Sequence, residues 1–482
     1  MIRRIMKVIT RTKFPRPFPD LSSTGGKPMK MTKVSHWVAQ RRFSRGIAWF
    51  LFSAILLTGT TYAYLTDIGI HVPPMTGPYA YNTFMPGTPG FPAVGGTYTD
   101  PVFGTVVRRL TDVTGKANED DIYAHHWSNA NGSFGFTKGP PGMDIIRIAT
   151  GARIYTGQPV GLNHSENYWD AIDPDKYYYF SGANLVRRNL AAQTNTTIKT
   201  FPATLQANGG SLNIQSRDGR YFTVRYGGTN KVWDSQLDVI YAGSVTPLSS
   251  TGWVSITPDA NYMVTAAGPT ATPQKEHYSY AINHNTQSIG STPTQFWGLC
   301  GDHGVLVSAS NGKNYFVTFE CHDIGSPYRV DITLDQQGRS ATLQRADNQK
   351  LAPLTWNDDG HFSAVSKGAL ADWAFMSTES KADTFLDAVS GWTAYKQEII
   401  AMNVVTLEVR RLAHHRSRGI AAAYGTQPRV SSSWDGSVVM WTSNYNMSLP
   451  TGYADLYAIQ SPLAGSTPPS GPPPAPQNLR LK

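Results

Sequence analysis

The sequence predicts an all-β fold, a seven-bladed β-propeller, on three observations. Turns of one chemistry recur at near-constant spacing, the composition suits short strands joined by tight turns, and no alternation of helices with strands runs through the chain.

The recurring turns are Trp127-Ser128-Asn129-Ala130-Asn131-Gly132, Ile172-Asp173-Pro174-Asp175-Lys176, Ser216-Arg217-Asp218-Gly219, Thr257-Pro258-Asp259-Ala260-Asn261, Ser310-Asn311-Gly312-Lys313 and Ser433-Trp434-Asp435-Gly436. Apolar and aromatic runs follow them, such as Tyr221-Phe222-Thr223-Val224. Gly132, Lys176, Gly219, Ala260 and Gly312 succeed one another at 44, 43, 41 and 52 residues, which is the period of a propeller blade. A single Asp-Gly turn joins hairpins in any β protein, so it is the spacing that selects a ring over a sandwich. Between Gly312 and Gly436, Gly360-His361-Phe362-Ser363-Ala364-Val365 and Trp373-Ala374-Phe375-Met376-Ser377 supply one further unit, which brings the number to seven.

Each unit is a small antiparallel sheet that cannot bury both faces alone, and closing seven in a ring protects their edges. The stretch 101–110, Pro-Val-Phe-Gly-Thr-Val-Val-Arg-Arg-Leu, reads as a strand placed before the first unit, where it would complete the last blade. The propeller is thus expected over 100–460, behind an extended lead-in at 64–99. The 44 Gly and 32 Pro suit its turns, and the 24 Tyr, 19 Phe and 12 Trp suit its strands.

Ahead of the lead-in, residues 46–65 form the one long apolar run, directly after twelve Lys/Arg. A basic segment, an apolar stretch from Ile47 to Leu57, and the small residues Thr61 and Ala63 read as an export signal over 1–63, with a mature chain beginning near Tyr64. The alternative is an uncleaved membrane anchor. Either reading places the propeller outside the cytoplasm: secreted, periplasmic or on the cell surface.

The same segment accounts for the net charge of +9. Residues 1–45 hold 12 of the 42 Lys/Arg and one of the 33 Asp/Glu, so the rest carries 30 basic against 32 acidic residues. A nucleic-acid partner therefore loses its electrostatic basis. The two cysteines, Cys300 and Cys321, allow one disulfide or two separate thiols, and they are too few for a disulfide framework.

From about residue 100 to 460 the chain resembles secreted bacterial seven-bladed propellers of the TolB-like and oligogalacturonate-lyase-like type. The resemblance rests on Asp100-Pro101-Val102-Phe103-Gly104-Thr105, the Ser-x-Asp-Gly turns, Gly360-His361-Phe362-Ser363 with Trp373-Ala374-Phe375, and Arg411-Leu412-Ala413-His414-His415-Arg416-Ser417-Arg418. It implies a propeller, and among its activities a polysaccharide lyase. Such propellers also include non-catalytic proteins.

In a propeller, residues five to ten before each turn begin the strand that lines the axis, and they gather at one mouth of the channel. Here those positions hold His125 and His126, Tyr168 and Trp169, Asn213, Trp253, His303, His361, and Gln427 with Arg429. Cleaving a uronate polysaccharide by elimination needs a cation to neutralise the carboxylate, a base for the proton beside it and an acid for the leaving oxygen. His126, His361 and Arg429 are the candidates for that chemistry; His125, Trp169, Trp253 and Gln427 are candidate substrate contacts, with the indoles as apolar platforms for a sugar ring. Hydrolysis would need paired carboxylates, of which these positions offer almost none.

The resemblance also implies a manganese ion held by histidines on different blades and a Gln-x-x-His-x-His stretch. His361 and Gln427 match it, but Val430 and Ser432 stand where the last two histidines would be. Zinc and calcium are the other divalent candidates, and a zinc-type site would draw on His303, Cys321, His322 and His414 or His415, whose separations follow no compact zinc spacing. The end of the chain, 461–482, reads as a Pro-rich linker that closes on a stretch similar to the first strand of a fibronectin type III module. Two function classes follow: a monomeric carbohydrate-active propeller, most naturally a lyase on an acidic polysaccharide, or a non-catalytic propeller that binds glycan or a partner protein.

Overall fold

Seven antiparallel sheets follow one another along the chain and close into a propeller. The computed structural model describes residues 67–112, 126–139, 142–162, 166–207, 212–248, 252–266, 276–298, 303–319, 326–335, 349–354, 358, 360–379, 389–418, 427–445 and 454–463. The export segment, His125, Cys300, Cys321, His322 and the Pro-rich tail from 464 lie outside them.

Blade 1 holds Phe134–Gly139, Gly142–Arg147 and Ala152–Gln158, with Ser128 bridging Gly135 on the inner side. Blade 2 is Asn167–Trp169, Lys176–Ser181, Asn184–Asn189 and Thr194–Thr200. Blade 3 is built on Tyr221–Tyr226 and Thr229–Asp234, with Gln215 bridging Phe222 on the inner side. Blade 4 begins with Trp253–Ile256, blade 5 with Gly304–Ser308, blade 6 with Gly360–Ala364 and blade 7 with Val430–Ser432.

The ring closes as the sequence predicts. Val106–Arg109 pairs with Asp455–Gln460, the third strand of blade 7, and Thr97–Thr99 adds a fifth strand outside it. The Arg109 guanidinium donates to the buried Asp455 carboxylate at 2.7 and 3.0 Å, and Leu110 N–H donates to Leu456 O at 2.8 Å. Both ends of the propeller are thereby held in one sheet, which hides edges that would otherwise offer unpaired backbone.

Three of the repeated turns share one geometry. The Ser216, Thr257 and Ser433 hydroxyls donate to the carboxylates of Asp218, Asp259 and Asp435 at 2.5, 2.7 and 2.7 Å. Each hydroxyl also accepts the N–H of the residue that opens the next strand, Tyr221, Tyr262 or Val438. Such local bonding is what Ser, Thr and Asp do at turns. The chain then needs a left-handed residue, filled by Gly132, Gly219, Gly312 and Gly436 at φ of 71° to 78°, and by Ala260 at 60°.

Between blades the core is aromatic and aliphatic. Phe136 of blade 1 stacks on Trp169 of blade 2 at 4.3 Å, and Trp253 of blade 4 meets Phe316 of blade 5 at 5.7 Å. The lead-in, expected to be extended, instead forms a strap of turns over 74–91, because its aromatics have a surface to bury against. Phe84 packs on Tyr98, Arg416 lies over Phe84, and Arg418 lies over Tyr81, which meets the Trp392 ring edge-on.

Candidate functional site

All seven innermost strands run the same way, so their first residues meet on one face of the ring, called here the start face. The turns lie on the opposite face. The strap at 74–91 is joined to the start face as well, through the segment that follows Val409–His414.

Three blades bring polar side chains together at the start face. His361 is the second residue of Gly360–Ala364, Glu379 follows Trp373–Thr378 in the same blade, His303 precedes Gly304–Ser308, and Gln427 lies just ahead of Val430–Ser432. His361 Nε2 lies 3.2 Å from Gln427 Oε1 and 3.4 Å from Glu379 Oε1, and its ring lies 4.7 Å from that of His303. The His361 side chain keeps 14 % of its surface exposed while that of Glu379 keeps 3 %, so the imidazole is the accessible member of the pair.

Close backbone approach seats both histidines. A Cβ on Gly360 would lie 1.8 Å from the Ser377 carbonyl oxygen, and one on Gly304 would lie 2.2 Å from the Phe316 ring. Glycine is required beside each imidazole for that reason.

The other expected site residues are placed differently. His126 is buried below the mouth, with Nδ1 2.8 Å from the Ser432 carbonyl and Nε2 2.8 Å from the Ser366 hydroxyl. Trp169 and Trp253 are not sugar platforms: they keep 1 % and 4 % exposure inside inter-blade packing, and Trp169 Nε1 donates to Trp127 O at 3.1 Å. Arg429 is 5 % exposed, with its N–H donating to Thr442 Oγ1 at 3.0 Å. Most inner-strand side chains are covered by the adjoining blade, so the mouth is formed by the partly open His361 and by His303 and Gln427, which lie just ahead of their inner strands.

The metal ligands do not assemble among the described residues. His415 is fully buried, its Nε2 donating to Thr378 O at 2.7 Å and its Nδ1 accepting the Ser417 N–H at 3.0 Å, so both nitrogens are engaged. Burial pushes this imidazole down to about 3, which keeps it neutral. No group of three His, Cys, Asp or Glu is placed to hold a metal ion among the described residues. Ser432, at a position where the resembled lyases carry a histidine, instead receives a bond from His126 and donates its N–H to Ser363 Oγ. The donor set does not fit the manganese site.

Sequence reasoning missed Glu379. It lies two residues beyond Ser377, the cross-strand partner of His361, and pairing Gly360–Ala364 with Trp373–Thr378 in register would have indicated it.

No family model matches the chain, and no curated protein matches it. Among solved structures, hydrazine synthase from Kuenenia stuttgartiensis is similar at 11 % identity, over 73 % of this chain and 99 % of that one, with a TM-score of 0.40. TolB from Acinetobacter baumannii is similar at 14 % identity, over 60 % of this chain and 62 % of that one, with a TM-score of 0.32. Similarity at these levels says nothing about activity, and the propeller rests on its own strand pairing.

Proposed function

We propose that the chain is an exported carbohydrate-active propeller that takes an acidic, uronate-containing polysaccharide at the start face and cleaves it by β-elimination. The observation that carries the reading is the set of His361, His303, Gln427 and Glu379, drawn from three blades to one mouth. Imidazoles at a solvent-accessible mouth suit proton transfer near neutral pH.

In this reading His361, oriented by Gln427 and Glu379, removes the proton on the carbon beside the substrate carboxylate. The electron pair forms the carbon–carbon double bond as the glycosidic oxygen leaves, and His303 supplies the proton to that oxygen. Arg429, 5 % exposed and two residues beyond Gln427, would have to turn out toward the mouth to neutralise the substrate carboxylate without a metal. The test is incubation of the purified protein with a panel of uronate polysaccharides, following the ultraviolet absorbance of the unsaturated product. No absorbance with any of them overturns the lyase assignment.

A second reading, a non-catalytic propeller that retains glycan or a partner protein at the same mouth, is favoured by Val430 and Ser432 standing at positions that hold histidines in the resembled lyases. Binding without turnover on the same panel selects it. The export part of the proposal rests on residues 1–65 and is tested by sequencing the amino terminus of the mature protein, expected near Tyr64.

A further inference from the structure

The inner turn of blade 6 departs from the others. Its connection spans 365–372, against 309–313 in blade 5 and 433–437 in blade 7, and Val365 stands where Ser216, Thr257 and Ser433 begin the regular turns. Its bonds reach round the ring and across it. Ser366 N–H and Lys367 N–H both donate to Trp434 O of blade 7, at 3.1 and 3.0 Å. The Ser366 hydroxyl lies 2.8 Å from His126 Nε2 of blade 1 and 3.5 Å from Asn213 Nδ2 of blade 3. Lys367 Nζ donates to the Ala171 carbonyl in the turn of blade 2.

Blades 6 and 2 are as far apart in order as a seven-membered ring permits, and so are blades 6 and 3. Side chains that reach both from blade 6 must cross the axis. Ser366 also lines an axial cavity of about 20 Å³ together with Asn213, Gln215, Ser255 and Val305. That volume holds a water and no larger reactant. The Ser366 and His126 pair, although spaced like a nucleophile and its base, therefore has no room for a substrate. Tight packing of the connection fits the same picture: a Cβ on Gly436 would lie 2.6 Å from Val365 Cγ2 and 3.3 Å from Leu370 Cδ1.

We infer that the connection 365–372 is a plug that turns into the channel at the turn face, seats Ser366 on the axis and latches Lys367 across it to blade 2. The plug closes the channel at that face, so a ligand at the mouth enters and leaves from the start face alone. It also ties blade 6 to blades that it does not adjoin. Burial lowers the affinity of Lys367 for its proton, with Asp435 and Asp170 opposing, as expected for a lysine drawn inward.

The test is hydrogen exchange on the full chain carrying Lys367→Met, and on a second variant in which 365–372 is replaced by the turn sequence 433–437. Loss of the latch is expected to raise exchange by about tenfold or more in the inner segments of blades 1 to 3, around His126, Ala171 and Asn213, where local opening is now opposed. A connection that acts only as a turn would confine the change to blades 5 to 7. Faster exchange limited to those blades, or none, in the folded Lys367→Met protein overturns the plug, and this variant leaves the backbone intact should the shortened one fail to fold.

Discussion

The Asp100 carboxylate accepts the backbone N–H of His414 at 2.9 Å, across 314 positions of sequence. The two residues belong to two of the segments that carry the resemblance outside the turns, and these two segments are each other's contacts: Phe103 meets the His414 ring at 4.8 Å and Arg411 lies over Phe103 at 5.6 Å. Asp100 also accepts the N–H groups of Val102 and Phe103, at 2.9 and 3.1 Å. Burial works against its charge, but His414 and Arg416 hold its carboxyl well below the usual carboxylate range. These motif residues join the two strands added to blade 7 to blade 6.

Asp100→Ala removes the acceptor for three N–H groups, and each one left buried and unpaired costs about 1–3 kcal/mol. Denaturant unfolding should show a loss of several kcal/mol with no change in glycan retention by the folded fraction. Unchanged stability would mean that the segments do not anchor each other.

The pH dependence of stability should carry the mark of His415. Unfolded, an imidazole titrates near 6.5, and folded, this one is held down to about 3. The stability that it contributes is therefore complete above the unfolded value and is lost as pH falls toward the folded one, at about 1.4 kcal/mol per pH unit. Urea unfolding between about pH 7 and pH 4 should show that limb, and His415→Gln should flatten it.

Two glycines of the repeated turn separate backbone strain from packing. Gly312, at φ 78°, has open space where a Cβ would be, whereas Gly436, at φ 72°, would place one against Val365. Gly312→Ala is expected to cost about 1 kcal/mol, near the ordinary left-handed penalty, and Gly436→Ala about 2–4 kcal/mol, since overpacking is added. Equal losses on thermal unfolding would remove the packing component.

The mouth is tested by two variants read on binding and turnover separately. His361→Ala should lower turnover about 10²- to 10⁴-fold in a lyase, the usual worth of a general base, while leaving glycan retention largely intact. Arg429→Ala should weaken retention by about 1.5–3 kcal/mol, as for a lost charge-assisted contact. Full turnover in His361→Ala would remove the residue from the mechanism.

What the sequence determined by itself is the ring. Turn chemistry acts over a few residues, so Ser433 with Asp435, or Gly312 at its left-handed position, is legible wherever it occurs, near-constant spacing turns local signals into a blade number, and the closing strand read over 101–110 pairs at 106–109. Alternation within strands could not say which side chains face solvent, because the inner strands are covered on both sides by neighbouring blades; Trp169 and Trp253 looked like platforms and are core. Only the tertiary structure decided the mouth, by aligning the beginnings of inner strands far apart in sequence, so that His303, His361 and Gln427 met while His126 sank one step below them onto Ser366. The plug was equally hidden, since the extra length of 365–372 is visible in the sequence, but its direction is set by the Trp434 and Ala171 carbonyls that receive it.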